Sequence, residues 1–188
     1  MNRRLIYAAI GLAIGLIGLI AGCSSGNESR EPQGSFAITM AASGPAAGAD
    51  DPLSRFKAAV ITIAGIEARM ADGTWVPIDS GLPADVDLIA IMAAGNVATL
   101  PSDLLPAWDY VALELRITAL YLTLLNDSTL EIAPPGTGWN VRVPVNFSVA
   151  SGQATVVHLT LRGPGSFKFF DGEYGFDPEV DLVSVERD

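Results

Sequence analysis

The stretch VRVPVNFSV at residues 141–149 decides the fold. Its apolar residues stand at every second position, and Arg, Pro, Asn and Ser fill the positions between them. Because successive side chains of a β-strand point to opposite faces, this alternation predicts a strand with one buried and one solvated face. Such a strand needs a second layer to cover its apolar face, so the stretch predicts packed β-sheets.

The same period of two recurs along most of the chain. Alternating segments predict further strands at residues 35–40, 56–69, 75–78, 111–124, 155–161 and 183–185. Turn signals separate them, among them Asp72-Gly73, which accommodates the positive φ of a tight hairpin. Since the sequence has no long amphipathic helix, it predicts an all-β fold, an antiparallel β-sandwich of about seven to nine strands.

One core is expected between the two sheets. Its predicted members are the inward residues of three strands: Val111, Leu113, Leu115, Val143, Val145, Phe147, Val157, Leu159 and Leu161. A phase change between Ile117 and Leu120 indicates a β-bulge. Pro77 lacks a backbone donor and therefore predicts an edge strand. The secondary structure of residues 79–108 is the hardest to predict. Within this segment, Val86 to Ala94 could form either a short helix or a buried strand, and a short helix or an irregular crossover is favoured.

The first 23 residues have the form of a bacterial lipoprotein signal. Asn2-Arg3-Arg4 gives a positive start, residues 5–20 form an unbroken apolar run, and Leu19-Ile20-Ala21-Gly22-Cys23 matches a lipobox. The alternative is an uncleaved transmembrane helix, because the run has about the minimum spanning length. Its many small residues, and the position of the only cysteine, favour the lipobox. We therefore expect a signal peptide helix at 1–22 and a covalent lipid on Cys23.

This signal divides the chain into three parts. They are the signal peptide at 1–22, the lipidated cysteine with a polar, flexible tether at 23–34, and the β-sandwich domain at 35–188. A flexible coil of the tether's length holds the domain roughly 20 Å from the bilayer. We expect an exported protein, lipid-anchored to the cell membrane or outer membrane, with its domain in the periplasm or at the cell surface.

The charge of the chain narrows the class of partner. The whole chain carries a net charge of −10, with 11 basic and 21 acidic residues. Removal of Arg3 and Arg4 with the signal leaves nine basic residues and a net charge of −12. Such a surface repels phosphate backbones, so we expect no nucleic-acid partner. It also repels anionic lipid, so the membrane contact is expected through the acyl chains and not through the domain face.

The sequence lacks the residue sets that most catalytic sites need. The one cysteine is assigned to the lipid, and a single histidine, His158, is too few for a zinc site or an acid–base triad. The glycine clusters lack the spacing of phosphate-binding loops. We therefore expect no enzyme and no cofactor beyond the lipid, but a non-catalytic module that binds or scaffolds an envelope protein or glycan. The alternative is a hydrolase of envelope polysaccharide or peptidoglycan that uses paired acids such as Asp177 and Glu179.

A cluster of acids near the C-terminus is the one constellation that suggests a metal. Its members are Asp171, Glu173, Asp177, Glu179 and Asp181. Calcium takes six to eight oxygen ligands, and acids spaced by two line one side of an extended segment. The spacing differs from that of an EF-hand, and scattered acids on an acidic protein are usually a solvated face. The cluster is therefore a weak calcium candidate, typical of an adhesion-type module if it binds the ion.

Any working surface is expected in the loops at one end of the sandwich, since rigid sheets commonly present variable loops. The candidate loops are residues 43–51, 94–108 and 171–181. Trp108 is the candidate interaction residue within them. An aromatic residue in a proline-flanked loop is either a core plug or an interface anchor, and the core plug is the favoured interpretation.

Several motifs resemble a known family. They are Ile66 to Arg69 leading into Asp72 to Ile78, Leu105 to Tyr110 leading into Leu115-Arg116-Ile117, the strands at 141–149 and 155–161, and the run GEYGFDP at 172–178. Over most of residues 35–186 the chain resembles the bacterial lipoprotein domain of unknown function 4382. This resemblance implies a transthyretin-type, or prealbumin-like, β-sandwich. It implies no catalytic residues.

Overall fold

The computed structural model describes residues 31–44, 52–170 and 172–188. The predicted signal peptide, Cys23 and most of the predicted tether lie outside these residues, as do Asp171 and positions 45–51 of one candidate loop. Within the described ranges, no helix is long and apolar enough to cross a membrane.

The described chain is built almost entirely of strands. The first seven are β1 (Gln33–Ser43), β2 (Phe56–Met70), β3 (Trp75–Pro77), β4 (Ala84–Asp87), β5 (Ala98–Thr99), β6 (Asp103–Pro106) and β7 (Asp109–Leu124). The next six are β8 (Thr129–Ile132), β9 (Trp139–Ser148), β10 (Ala154–Arg162), β11 (Phe167–Phe170), β12 (Glu173–Phe176) and β13 (Val180–Arg187). The helices are a 3-10 turn (Pro52–Arg55), α1 (Leu88–Ala94) and the four-residue α2 (Gly163–Ser166). β1 begins two residues before the domain start expected at Ser35.

Two sheets pack face to face, which confirms the all-β sandwich. The six-stranded sheet has the order β3-β2-β7-β8, with β4 paired to β2 and β9 to β7. The five-stranded sheet has the order β13-β10-β1-β5, with β6 paired to β1, and β11 and β12 form a separate hairpin. β3 lies at a sheet edge, as Pro77 predicts. The described residues hold thirteen strands and not seven to nine, because most of the strands of two to four residues, unlike β3, carry too little alternation to be recognised.

One strand pairing in the five-stranded sheet is parallel. β1 runs parallel to β10 with Ser35 opposite Ala154 and Ser43 opposite Arg162, whereas the other strand pairs are antiparallel. Parallel neighbours need a crossover connection. Here the connection from β1 to β10 contains β2 to β9. All strands of the six-stranded sheet therefore lie, along the chain, between β1 and β10, which are the two central strands of the other sheet.

Eight of the nine predicted core residues are buried in one apolar cluster between the sheets. The exception is Val111, which is 36% exposed, so its assignment to the core is wrong. β7 carries a bulge at this position: Met70 pairs with Tyr110 and Arg69 with Ala112, which leaves Val111 without a partner on β2. The extra residue turns Val111 outward and puts Tyr110 into the core.

The bulge predicted further along β7 is present. Thr62 pairs with Ala119 and Ile63 with Ile117, so Thr118 is the extra residue on β7. Both Ile117 and Leu120 are fully buried as a result. The change of phase in the sequence therefore marks a real change in strand pairing.

Residues 79–108, whose secondary structure is hardest to predict, contain the short helix that the sequence favours. α1 follows β4 directly, and the carboxylate of Asp87 accepts hydrogen bonds from the amides of Ile89 (3.0 Å) and Ala90 (3.2 Å). These amides have no partner within the helix, so the side chain caps it. Gly95 ends the helix in the left-handed region with φ of 61°.

Candidate functional site

Three segments meet at one end of the sandwich. They are the chain entering β1 at Glu31 and Pro32, the hairpin turn at 71–74 between β2 and β3, and the connection from β6 to β7 that carries Trp108. The pairing of Met70 with Tyr110 brings the hairpin turn beside this connection. The pairing of Gln33 with Pro106 brings the start of β1 to its other side.

Backbone hydrogen bonds hold the connection on both sides of Trp108. The Ala107 amide donates to the Pro32 carbonyl oxygen at 2.7 Å, and the Val149 amide donates to the Trp108 carbonyl oxygen at 2.9 Å. The Ala71 amide donates to the carbonyl oxygen of Asp109 at 2.8 Å. These bonds satisfy backbone groups that a loop otherwise leaves to water, so the backbone around Trp108 is held in one arrangement.

The Trp108 side chain is presented at the surface. It is 51% exposed and is not part of the buried apolar cluster. The core-plug interpretation favoured from the sequence is therefore wrong. A large aromatic side chain on a held backbone is the arrangement that interface anchors have, because little conformational entropy is lost when it is covered.

Trp108 separates two surface depressions. The larger, called here the Trp108 groove, has a volume of about 610 Å³. Its apolar walls include Met70, Val76, Pro106 and Trp108. The smaller depression, of about 470 Å³, lies between Trp108, the hairpin turn and Val149.

The charged residues that line the Trp108 groove are both acids, Glu31 and Asp72. One Asp72 oxygen accepts a hydrogen bond from the Thr74 amide at 2.9 Å, which orients this carboxylate within the turn. Asp109, at the smaller depression, accepts a hydrogen bond from the Ser148 hydroxyl. The groove thus combines an aromatic face with two carboxylates, a combination that favours a cationic or ammonium-bearing group.

The acidic cluster near the C-terminus is engaged in ion pairs. Asp177 contacts Lys168 at 2.6 Å, and the guanidinium of Arg162 binds Asp181 and lies 3.8 Å from Glu179. The hydrogen bond to Asp177 raises the pKa of Lys168, and the hydrogen bond to Asp181 raises the pKa of Arg162.

No group of three or more His, Cys, Asp or Glu side chains in the described ranges is placed to hold a metal ion. Glu173 lies exposed on the β11–β12 hairpin, and Asp171 falls outside the described residues. Calcium binding by this cluster stays a prediction from the sequence. A carboxylate acid–base pair needs two different environments. The side chains of Asp177 (70% exposed) and Glu179 (47%) are both solvated and paired with cations.

A further cavity opens on the outer face of the six-stranded sheet. It has a volume of about 190 Å³ and is lined by Glu67, Glu114, Arg116 and Asn140, among others. From the sequence, Glu114 and Arg116 suggest a same-face ion pair. In the structure Glu114 instead accepts two hydrogen bonds from Arg142 on β9, at 2.8 and 3.1 Å. An exposed cross-strand pair of this kind contributes little to stability.

His158 stands in a polar row on the outer face of the five-stranded sheet. Its Nδ1 lies 2.7 Å from the Thr39 hydroxyl, and its Nε2 lies 3.4 Å from a carboxylate oxygen of Glu186. The three residues come from the neighbouring strands β1, β10 and β13. Cross-strand polar neighbours of this kind stabilise a sheet, and this is a structural role for His158.

The sequence did not single out Met70, Val76 and Asp72 as neighbours of Trp108. The signal that places them there is strand pairing: once β2 is paired with β7, the turn after Met70 must lie beside the residues before Tyr110. That pairing requires the bulge at Val111, which the alternation of the sequence does not reveal.

A family model described as domain of unknown function DUF4382 matches residues 49–164. The match covers well over half of the chain and includes β2 to β10. It ends before the run at 172–178, so the resemblance extends less far than the motifs suggest. No curated protein and no solved structure matches the chain.

Proposed function

The chain belongs to the DUF4382 family, and from that premise we propose that it is a lipid-anchored, non-catalytic interaction module of the bacterial cell envelope. In this proposal Cys23 carries the lipid, the sandwich is a rigid support, and the end that bears Trp108 is the interaction surface. The transthyretin-type architecture implied by the resemblance remains part of the proposal.

The observation that carries the proposal is the exposure of Trp108 on a held backbone. Contiguous exposed apolar surface commonly marks an interaction site, and Trp108 adjoins the side chains of Met70, Val76 and Pro106 in the groove. The bond between Ala107 and Pro32 puts this surface at the point where the N-terminal segment joins the domain. In this proposal the anchored segment therefore enters the domain beside the interaction surface.

The proposal is tested first at the anchor. Cells are fed an alkynyl fatty acid, and the wild type is compared with Cys23→Ala. We expect labelling of the wild type and its loss in the variant, because Cys23 is the only thiol available for a thioether-linked lipid. Equal labelling of the two proteins contradicts a lipid on Cys23.

The interaction surface is tested by site-specific photo-crosslinking in intact cells. A photoreactive residue replaces Trp108 or, as the matched control, Val183, which is 62% exposed on β13. We expect a defined adduct from position 108 and none from position 183, with the melting temperature unchanged in both variants. The absence of an adduct at position 108 overturns the proposal. Turnover of peptidoglycan or polysaccharide by the protein, abolished by Asp177→Asn, overturns it as well.

A further inference from the structure

We propose that the Trp108 groove binds the ammonium headgroup of a zwitterionic phospholipid in the membrane that holds the protein. The inference rests on the proposed function, because it takes Cys23 as the anchored residue. The occupant is the lipid surface itself, at the boundary between headgroups and acyl chains.

The first argument is chain length. Pro32 lines the groove, and its carbonyl oxygen accepts the hydrogen bond from Ala107, the neighbour of Trp108. Eight residues lie between Cys23 and Pro32, so nine residue steps join them. A fully extended chain of that length spans at most about 30 Å, and a coil far less. An anchor at Cys23 therefore keeps Pro32, and with it the Trp108 groove, within about 30 Å of the bilayer surface.

The second argument is the chemistry of the exposed residues at this end. Trp108 is 51% exposed, and Leu104 on β6, which pairs with Ser35 near the start of β1, is 58% exposed. The indole ring of tryptophan has an apolar body and one polar N–H, and tryptophan is accordingly enriched at the interface between membrane and water. Both side chains therefore offer exposed apolar surface close to the point where the chain enters β1.

The third argument is charge complementarity. The carboxylates of Glu31 and Asp72 line the groove beside the Trp108 ring. An ammonium group is attracted both to carboxylates and to the face of an indole ring, whereas the carboxylates repel an anionic headgroup. The groove therefore selects lipids such as phosphatidylethanolamine or phosphatidylcholine over phosphatidylglycerol. This contact departs from the expectation, drawn from net charge, that the domain face does not touch the membrane. The negative charge of the chain opposes contact with anionic lipid, but it does not oppose contact with a zwitterionic headgroup.

The test uses the full mature lipoprotein, purified with its lipid and reconstituted into vesicles of phosphatidylethanolamine and brominated phosphatidylcholine. Bromine atoms near the headgroup quench tryptophan fluorescence at short range. The matched variants are Trp108→Phe and Trp75→Phe; Trp75 packs against Arg69 and Arg142 on the outer face of the six-stranded sheet. We expect quenching in the wild type, its retention in Trp75→Phe and its loss in Trp108→Phe.

A second quenching experiment tests the lipid specificity. Asp72→Asn keeps an oxygen for the Thr74 amide but removes the charge. We expect it to weaken quenching at least twofold on the zwitterionic vesicles, and we expect the wild type to be quenched less on vesicles of equally brominated phosphatidylglycerol at low salt. Equal quenching of wild type and Asp72→Asn on the zwitterionic vesicles overturns the headgroup assignment.

Failure of the inference is distinguishable from failure of the proposed function. A mass spectrum of the N-terminal peptide without acyl chains on Cys23 contradicts the anchor, and with it both proposals. Acylated protein whose quenching is the same in Trp108→Phe and Trp75→Phe overturns the lipid contact alone. A protein or glycan adduct at position 108 in cells, with no lipid adduct, also overturns the lipid contact and leaves the interaction surface in place.

Discussion

The phenol ring of Tyr110 stacks on the ring of Phe147, with centroids 4.9 Å apart and planes inclined by 10°. Phe147 also stacks on Phe36, with centroids 5.1 Å apart. Tyr110 and Phe147 belong to the six-stranded sheet and Phe36 to the five-stranded sheet, so the three rings join the two halves of the core. The Tyr110 hydroxyl donates to the Pro106 carbonyl oxygen at 2.9 Å, two residues before Trp108.

This stack leads to a prediction for alkaline pH. Burial raises the pKa of Tyr110 to about 12, because the apolar surroundings disfavour the phenolate. Since the folded state holds this proton more tightly than the unfolded state, the stabilisation is complete below pH about 10 and is lost as pH rises through about 12. An absorbance titration at 295 nm should show a late phase from Tyr110, which Tyr110→Phe removes. A late phase that persists in the variant contradicts the assignment.

The bulge at Val111 predicts two different costs for neighbouring truncations. Leu115 is fully buried, so Leu115→Ala should lower the free energy of unfolding by roughly 2–5 kcal/mol. Val111 points outward, so Val111→Ala should change it by less than about 0.5 kcal/mol, as surface substitutions usually do. Urea denaturation measures both values. Similar large losses in the two variants would restore Val111 to the core and remove the bulge.

Gly34 is predicted to tolerate no side chain. A Cβ atom at this position meets the carbonyl oxygen of Ala150 at clash distance and lies 2.7 Å from a methyl group of Val149. Gly34→Ala should therefore lower stability by about 1–3 kcal/mol, the usual cost of overpacking. Gly44→Ala is the control, because nothing lies within 4 Å of its added carbon. Thermal melts of the two variants that coincide are the contrary result.

The cap of α1 predicts different losses of stability for two substitutions of Asp87. Asp87→Ala removes the acceptor for the amides of Ile89 and Ala90 and should cost about 0.5–2 kcal/mol. Asp87→Asn retains an acceptor oxygen and should lose only a small part of that. Denaturant unfolding of both variants tests the cap. If Asp87→Asn is as unstable as Asp87→Ala, the carboxylate charge and not the hydrogen bond stabilises this segment.

The sequence by itself determined the class of fold, the long strands, the hairpin at Asp72-Gly73, the bulge near Thr118 and most of the core. These features are local, because the side-chain alternation of a strand and the backbone preference of a turn are written in residues close in sequence. Most of the short strands, with β3 as an exception, were missed because two to four residues carry little readable period.

Only the tertiary structure decided the parallel pairing of β1 with β10, the outward turn of Val111 and the exposure of Trp108. The physical reason is the same for all three. Alternation shows which residues share a face of a strand, but it does not show which strand lies beside it or where the two slip by one residue. The position of Trp108 follows from hydrogen bonds between the connection from β6 to β7 and residues that flank β1, β2 and β9. Those segments lie far apart in the chain.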